Sequence, residues 1–306
     1  MHVMKAEKTV KPFSEKVMDI TLYIFFAFFT ILCIYPFYYL IINTISANDL
    51  SAGGQILFIP KELHIQNYVK VFKIPGLGNA AWISIARTVL GTLAALLGSA
   101  FLGFMFTQEK MWGRKFFYRY IILTMYFSAG LIPWYITMSN LHLTNNFWVY
   151  VLPAFIAPFN VILVKTFVES TPKALQEAAE IDGAGVIKIF WKVILPISKP
   201  ILATVAIFSA VGQWNSFQDT LLLVSNQKLY TLQFILFKYI NQASSLATLI
   251  KNNSGAIGGI ISAATTQTAT SVRMTVSVIV VLPILMVYPF FQKYFVKGVM
   301  IGSVKG

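Results

Sequence analysis

Thr171-Pro172-Lys173-Ala174-Leu175-Gln176-Glu177-Ala178-Ala179-Glu180-Ile181-Asp182-Gly183, continued by Val186 to Ile194 and Leu195-Pro196, is a polar, helix-forming insert between two long apolar runs. Thr171 supplies a hydroxyl N-cap and Pro172 the preferred first helical residue, so a helix of about two and a half turns is expected over Pro172 to Ile181. Gly183 is placed to end it with a left-handed cap. A second short helix is expected over Val186 to Ile194, with Ile187, Phe190, Trp191 and Ile194 on one side, Lys188 and Lys192 on another, and a stop before Pro196. Together they make a helix-turn-helix bracket. Its first helix projects Glu177 and Glu180 from a small-residue surface at Ala174, Ala178 and Ala179, where the backbone of another protein can come close. A plain interfacial helix has the same composition, so local physics leaves both readings open.

Working outward, the flanking runs set the class. Hydrophobic residues make up 57% of the chain and charged residues only 11%, which is the balance of an integral membrane protein. A bilayer cannot hydrogen-bond an exposed backbone, so apolar runs of about 20 residues must be spanning helices. The expected fold is all-α with six spans: Asp19 to Ile42, Ala80 to Phe106, Tyr118 to Met138, Phe147 to Val168, Ile197 to Gln218 and Val272 to Phe295. The first run is longer than a signal-peptide core and lacks a small-x-small cleavage pattern, so it reads as a retained anchor.

Lys and Arg accumulate on the cytoplasmic side of membrane proteins. With the N-terminus inside, sixteen of them fall in internal segments and about seven in much longer external ones. Both termini are therefore expected in the cytoplasm, with tails at 1–18 and 297–306 around a transmembrane domain at 19–296. The external loops are 43–79 and 219–271, and the bracket, at 169–196, is cytoplasmic. The stretch Asn252 to Ser271, rich in Gly, Ser, Thr and Asn, reads as a mobile external loop. The net charge of +13 is mostly membrane-surface charge, and a nucleic-acid role has no soluble domain to rest on.

Several chemistries are missing. His2, His64 and His142 share no helical face with another ligand, and no G-x-x-x-x-G-K-[ST] loop occurs. Leu50-Ser51-Ala52-Gly53-Gly54-Gln55 has the outline of an ATPase signature loop but carries an extra residue, lacks a partner nucleotide loop and falls in an external segment, so it reads as a turn. Cys33 is alone in the first span, in an ordinary small apolar role. Ion-coupled carriers usually keep an ionisable side chain or unwound carbonyls near the midplane. Here every carboxylate, Asp19 and Asp219 included, lies outside or at the ends of the spans. Arg87 is the one charge well inside a span, and snorkelling to the outer interface accounts for it. Energy is expected to come from another subunit.

Glu177-Ala178-Ala179, three residues, Gly183, nine residues, then Val193-Ile194-Leu195-Pro196 resembles the EAA loop of bacterial ABC importer permeases, with Asp182 before the glycine as in many members. Phe127-Ser128-Ala129-Gly130-Leu131-Ile132-Pro133, Trp214-Asn215-Ser216-Phe217 and the run from Tyr288-Pro289-Phe290 to Gly298-Val299-Met300-Ile301-Gly302-Ser303-Val304-Lys305-Gly306 resemble the MalG-like carbohydrate permeases, in particular their LplC/YtcP-type branch. The resemblance spans nearly the whole chain. It implies the type I importer permease fold in the bacterial cytoplasmic membrane, with this chain as one half of a pair of unlike permeases. The other implied partners are a cytoplasmic ATPase dimer that binds ATP and Mg, an external sugar-binding protein and the carbohydrate itself. No cofactor belongs to this chain. Glu177, Ala178, Ala179, Asp182, Gly183, Leu195 and Pro196 are the implied ATPase-coupling residues. A permease for a non-sugar solute, or a non-transporting assembly or sensing subunit, is the alternative.

A sugar path needs amides for hydroxyls and aromatic faces for pyranose rings. Gln213, Trp214 and Asn215 in the fifth span fit this need, followed by Asn160 in the fourth and Tyr126 and Ser128 in the third. Interhelical hydrogen bonding for Asn160 and Ser128, and an interfacial belt for Trp214 and Tyr126, are the alternatives.

Overall fold

The computed structural model describes residues 12–252 and 269–298, and every regular element among them is helical. In chain order these are α1 (Phe13–Thr44), α2 (Asn48–Ala52), α3 (Gln66–Phe72), α4 (Leu77–Met105), α5 (Arg114–Tyr126), α6 (Leu131–Asn140), α7 (Pro158–Ser170) and α8 (Ala174–Ile181). There follow α9 (Val186–Ile189), α10 (Leu195–Ile197), α11 (Lys199–Asn215), α12 (Gln218–Leu223), α13 (Leu232–Asn252) and α14 (Ala269–Gly298). Short 3-10 turns lie at Phe147–Tyr150, Leu152–Ala154 and Gln227–Leu229, and a π turn at Phe190–Ile194.

Among the described residues, three helical stretches are each long and apolar enough to cross a membrane: α1, α4 and Thr270–Val287 of α14. The run expected as a fourth span is bent by 40° between Phe147–Ala154 and α7, and the one leading into the fifth is bent by 82° between Val186–Ile197 and α11. The third expected span is not one helix. Phe127 is extended, Gly130 has φ +87, and Pro133 in the first turn of α6 has no N–H to give, so α5 and α6 are separate segments. Apolar composition runs straight through this break and conceals it. The fifth span also ends early, because Ser216 is extended and the chain restarts as α12.

Among the described residues, the segments expected as external loops contain several helices. Leu50 to Gln55 is the end of α2 and its turn, with Gly54 at φ +69. The apolar stretch from Leu229 to Ile240 opens the 21-residue helix α13. Of the run from Asn252 to Ser271, residues 253–268 lie outside the described residues, while 269–271 begin α14. The tail residues 1–11 and 299–306 also lie outside them, whereas 13–18 belong to α1 and Lys297 and Gly298 to α14.

Helix α4 is the hub. One of its sides carries Gly91, Ala95, Gly98 and Gly103, which let α7 and α11 approach closely. At Gly98 the fit is tightest: a Cβ there would stand 2.1 Å from the backbone carbonyl oxygen of Phe155. Toward one end of α4, Ala100 and Phe104 pack with Val164 and Val168 of α7, Ile189, Phe190, Ile194 and Val205. Toward the other, Ile83 joins Met138, Val149, Tyr150, Leu223 and Val224. Leu77 and Ala80 meet Val71, Leu232, Val276 and Val280 in a third cluster. The helix α1, by contrast, buries only Ile42, Asn43 and Thr44 and leaves its phenylalanines exposed.

Candidate functional site

Two sites stand at opposite ends of α11. The first is the bracket. Gly183 has φ +73, its N–H donates to the Glu180 carbonyl at 3.0 Å, and the Ala184 N–H donates to the Ala179 carbonyl at 2.9 Å. This is a Schellman cap, and it confirms the expected left-handed end of the helix. The expected start is different. Thr171 Oγ1 donates to the Val168 carbonyl at 2.6 Å and so closes α7, while α8 begins at Ala174 without a side-chain cap. The second helix does not stop before Pro196 either. It runs on through the π turn and α10 to Ile197, because proline is tolerated where the wide turn and the following bend free the backbone of its partner.

The π turn also re-sorts the faces. Ile189, Phe190 and Ile194 are buried against α4 and α7, with the Phe190 ring 5.7 Å from Phe104 and 5.4 Å from Phe101. Ile187 and Trp191, expected on that same side, are exposed. The buried rings anchor the bracket, and α8 stands out from them. Glu177, Ala178, Asp182 and Gly183 are exposed, Ala179 is half-buried, and Ile181 is 86% exposed. Leu195 is half-buried and Pro196 exposed at the far end of the second helix. The Glu177 side chain makes no hydrogen bond or ion pair among the described residues, while its N–H donates to the Lys173 carbonyl at 3.1 Å.

Sequence reasoning missed what braces α8. The link between α4 and α5 lies alongside it: Gln108 Nε2 donates to Gln176 Oε1 at 3.1 Å, Lys110 Nζ meets Glu180 Oε2 at 3.1 Å, and Lys173 Nζ meets Glu109 Oε1 at 3.3 Å. Exposed pairs of this kind contribute at most about 1 kcal/mol each, so they orient α8 more than they stabilise it. Between the link and α8 runs a groove of about 520 Å³ that includes Glu177. Gly183→Ala forces a Cβ into the left-handed region at a cost of about 1 kcal/mol. The expected result is faster amide exchange over 174–184 with the α4, α7 and α11 amides unchanged.

The second site is an open-sided cavity of about 320 Å³ lined by α4, the 153–157 corner, α7 and α11. Asn160 and Gln213 line it, with Ser209, Phe208 and Arg87. Asn160 Nδ2 donates to Ser209 Oγ at 3.1 Å. Gln213 is held at both ends of its amide: Nε2 donates to the Tyr150 carbonyl at 3.0 Å and Oε1 accepts from Arg87 Nε at 2.8 Å. Gly91 leaves the room for it, since a Cβ there would lie 2.5 Å from Gln213 Nε2.

Arg87 does not snorkel. It is 2% exposed, and its Nη1 donates to the Ser216 carbonyl at 3.0 Å while its Nη2 forms a charge-assisted bond to Asp219 Oδ2. Its guanidinium carbon sits 4.6 Å from the Tyr150 ring centroid, a cation–π contact. Asp219, expected as a loop carboxylate, is thus the counter-ion of Arg87. The reason snorkelling fails is local: three acceptors and an aromatic face converge on the guanidinium at its own depth, so it has nothing to gain at the interface.

The remaining path residues are dispersed. Trp214 Nε1 donates to the Val280 carbonyl of α14 at 3.0 Å, and Asn215 Oδ1 accepts from Gln233 Nε2 of α13 at 3.1 Å. Tyr126 and Ser128 lie at the α5–α6 break, Tyr126 exposed and Ser128 Oγ accepting from the Gly130 N–H at 3.4 Å. A separate groove of about 690 Å³, lined by Thr124, Ser128, Trp134 and Thr137 among others, follows that break.

Comparison with known proteins adds four findings. Residues 96–301 match the family described as "Binding-protein-dependent transport system inner membrane component". The chain is 34% identical to protein LplC of Bacillus subtilis (strain 168) over 95% of its own length and 96% of that protein's. It is 30% identical to the polygalacturonan/rhamnogalacturonan transport system permease protein YtcP of the same organism, over 95% and 99%. Among solved structures, a bacterial ABC transporter involved in the import of the acidic polysaccharide alginate contains a chain that superposes with a TM-score of 0.80 at 26% identity, covering 94% of this chain and 100% of that one.

Proposed function

From the premise that this chain belongs to the binding-protein-dependent transport system inner membrane component family, we propose that it is a permease subunit of a bacterial ABC importer for a carbohydrate, an oligosaccharide in particular. Full-length similarity to LplC and to YtcP, whose name specifies polygalacturonan and rhamnogalacturonan transport, supports the substrate class. The chain is a transport component of the inner membrane and no enzyme: hydrolysis of ATP with Mg belongs to partner subunits. A second permease, an ATPase dimer and an external sugar-binding protein complete the assembly.

The observation that carries the coupling role is the bracket. It is anchored by Phe190 and Ile194 in the α4–α7 core yet holds Glu177, Ile181 and Gly183 out into the open. A rigid projection with an acidic and apolar face suits a cleft on an ATPase subunit. Ala178 allows close approach, Ala179 packs inward against the Phe190 cluster, Asp182 and Gly183 turn the chain, and Leu195-Pro196 join the bracket to α11. ATP-driven closure of the two ATPases would draw the docked brackets together and shift the helices between two populations.

This reading takes six crossings of the membrane, counting α5 with α6 as the third, and places both tails and 169–196 in the cytoplasm. The segments 43–79 and 219–271 then face outward, toward the binding protein. Gln213 and Asn160 form the path wall in the cavity, and Tyr126 and Ser128 a second polar stretch at the break. Trp214 and Asn215 hold α11 to its neighbours beside the path.

Affinity purification from native membranes in mild detergent tests the assembly. Recovery with a second permease, a P-loop ATPase and a sugar-binding protein is expected, and hydrolysis should rise when that protein is saccharide-loaded. Glu177→Arg should reduce the recovered ATPase about tenfold, the scale of one lost charge contact in an interface. Recovery of the chain alone, or full ATPase recovery by the variant, would sink the docking claim.

A further inference from the structure

The contacts of Arg87 converge on a single corner of the chain. Gln213, Ser216 and Asp219 lie within seven residues at the junction of α11 and α12, and all three accept from one guanidinium on α4. Ser216 Oγ also donates to Asp219 Oδ2 at 3.0 Å, which closes the corner on itself. Below it, Tyr150 shares a hydrogen bond with Thr220 at 3.0 Å and donates to the Leu229 carbonyl at 2.8 Å. The Leu232 N–H donates to Ser84 Oγ of α4 at 2.8 Å. The elements at this end of the bundle are thus joined through polar contacts that meet at α4, and the cavity with Asn160 and Ser209 lies immediately beneath.

Ion pairs taken out of water are poor at adding stability, because desolvation offsets most of the attraction, and apolar side chains of similar volume would hold the corner as well. What a pair provides is direction and a discrete off state. The environment here is asymmetric: the Arg87 side chain is 3% exposed and lines the cavity, whereas that of Asp219 is 25% exposed. Water or a hydroxyl can therefore compete for Asp219 from its open side. Once the guanidinium withdraws, the contacts to Gln213 and Ser216 go with it.

Resting on the importer reading above, we infer that Arg87 is a positioning residue for transport: its clamp on Gln213, Ser216 and Asp219 is a latch that keeps this half of the permease shut above the cavity. Release of the latch admits the saccharide and accompanies the shift to the state in which the partner ATPases hydrolyse ATP. The closed population is set by the clamp, and weakening the clamp enlarges the open, hydrolysing population without any ligand.

The test uses the whole complex in lipid nanodiscs and reads ATP hydrolysis without binding protein as a fraction of the rate with saccharide-loaded binding protein. Arg87→Lys keeps a charge opposite Asp219 but loses the fork that reaches Gln213 and Ser216, and Asp219→Asn keeps the shape without the charge. The double variant Arg87→Leu with Asp219→Leu leaves no unpaired charge to impair folding. The latch predicts that the ligand-free fraction rises about tenfold in each, the effect of one RT ln 10 of bias, while the double-leucine complex keeps its subunit stoichiometry and stimulated rate near wild type. A double-leucine complex that assembles with an unchanged fraction overturns the latch and leaves the importer reading standing. A wild-type complex whose hydrolysis ignores the loaded binding protein overturns both. Hydrogen exchange on the wild-type complex needs no variant: amides over 216–221 should exchange faster in the ATP-trapped state than at rest, and equal protection in the two states refutes the latch.

Discussion

Asp219→Ala lowers the stability of the detergent-solubilised chain by about 3–5 kcal/mol, the cost of leaving a buried charge without its partner. Arg87 is 2% exposed and has no route to the interface while Tyr150 lies against its guanidinium and the 213–219 corner surrounds it. Its remaining acceptors, Gln213 Oε1 and the Ser216 carbonyl, are neutral. They solvate the guanidinium but do not neutralise it. Thermal unfolding followed by a thiol- or tryptophan-based signal should show a midpoint about 10 °C lower, at a few degrees per kcal/mol. Arg87→Leu with Asp219→Leu should recover most of that loss, since the desolvation penalty disappears with the charges. A single Asp219→Ala variant as stable as wild type would mean that the ion pair contributes nothing to the fold.

The second large effect is at Gly98. Gly98→Ala places a methyl group 2.1 Å from the Phe155 carbonyl oxygen, a backbone atom that can move only if the whole 153–157 corner moves. Overpacking against a rigid neighbour sits at the upper end of its usual range, so about 3 kcal/mol is expected. Gly78 on the same helix supplies the control, because nothing lies within 4 Å of a Cβ built there. Gly78→Ala should be neutral or stabilise by a few tenths of a kcal/mol through the reduced freedom of the unfolded chain. The ratio of folded to aggregated protein after detergent extraction separates the two. Equal yields would show that α4 and the 153–157 corner are not as close as this packing requires.

Helical class and the places of the three long apolar helices, α1, α4 and α14, are legible because hydrophobic length alone decides them. The cap at Gly183 is legible too, since only local backbone chemistry is involved. Whatever depends on distant partners is not. Arg87 stands out in the sequence as a charge at depth, but its partner is 132 residues away and reads as a loop acid. The brace from Gln108, Glu109 and Lys110 to α8 is hidden for the same reason. Gln213, Trp214 and Asn215 could have been separated in advance. Consecutive helical residues are about 100° apart, so three in a row cannot share one wall, and the structure sends them to Arg87 and Tyr150, to Val280 and to Gln233. The π turn has no local signature, and the α5–α6 break is signalled only by Ser128, Gly130 and Pro133 inside an otherwise apolar run.

The wide turn at Phe190–Ile194 carries one residue more than an α-helix would use to cover the same rise. Bracket and transport helix are therefore set in phase by a count of residues. Delete one residue from that turn and the helix regularises with its phase kept, but delete one from the regular helix beside it and everything before the gap swings by about 100° about the axis. Glu177 and Ile181 would then leave every side chain intact and still face the wrong way. In this stretch chain length acts as an angular coordinate, and a change that alters no chemistry can disconnect the two ends of the machine.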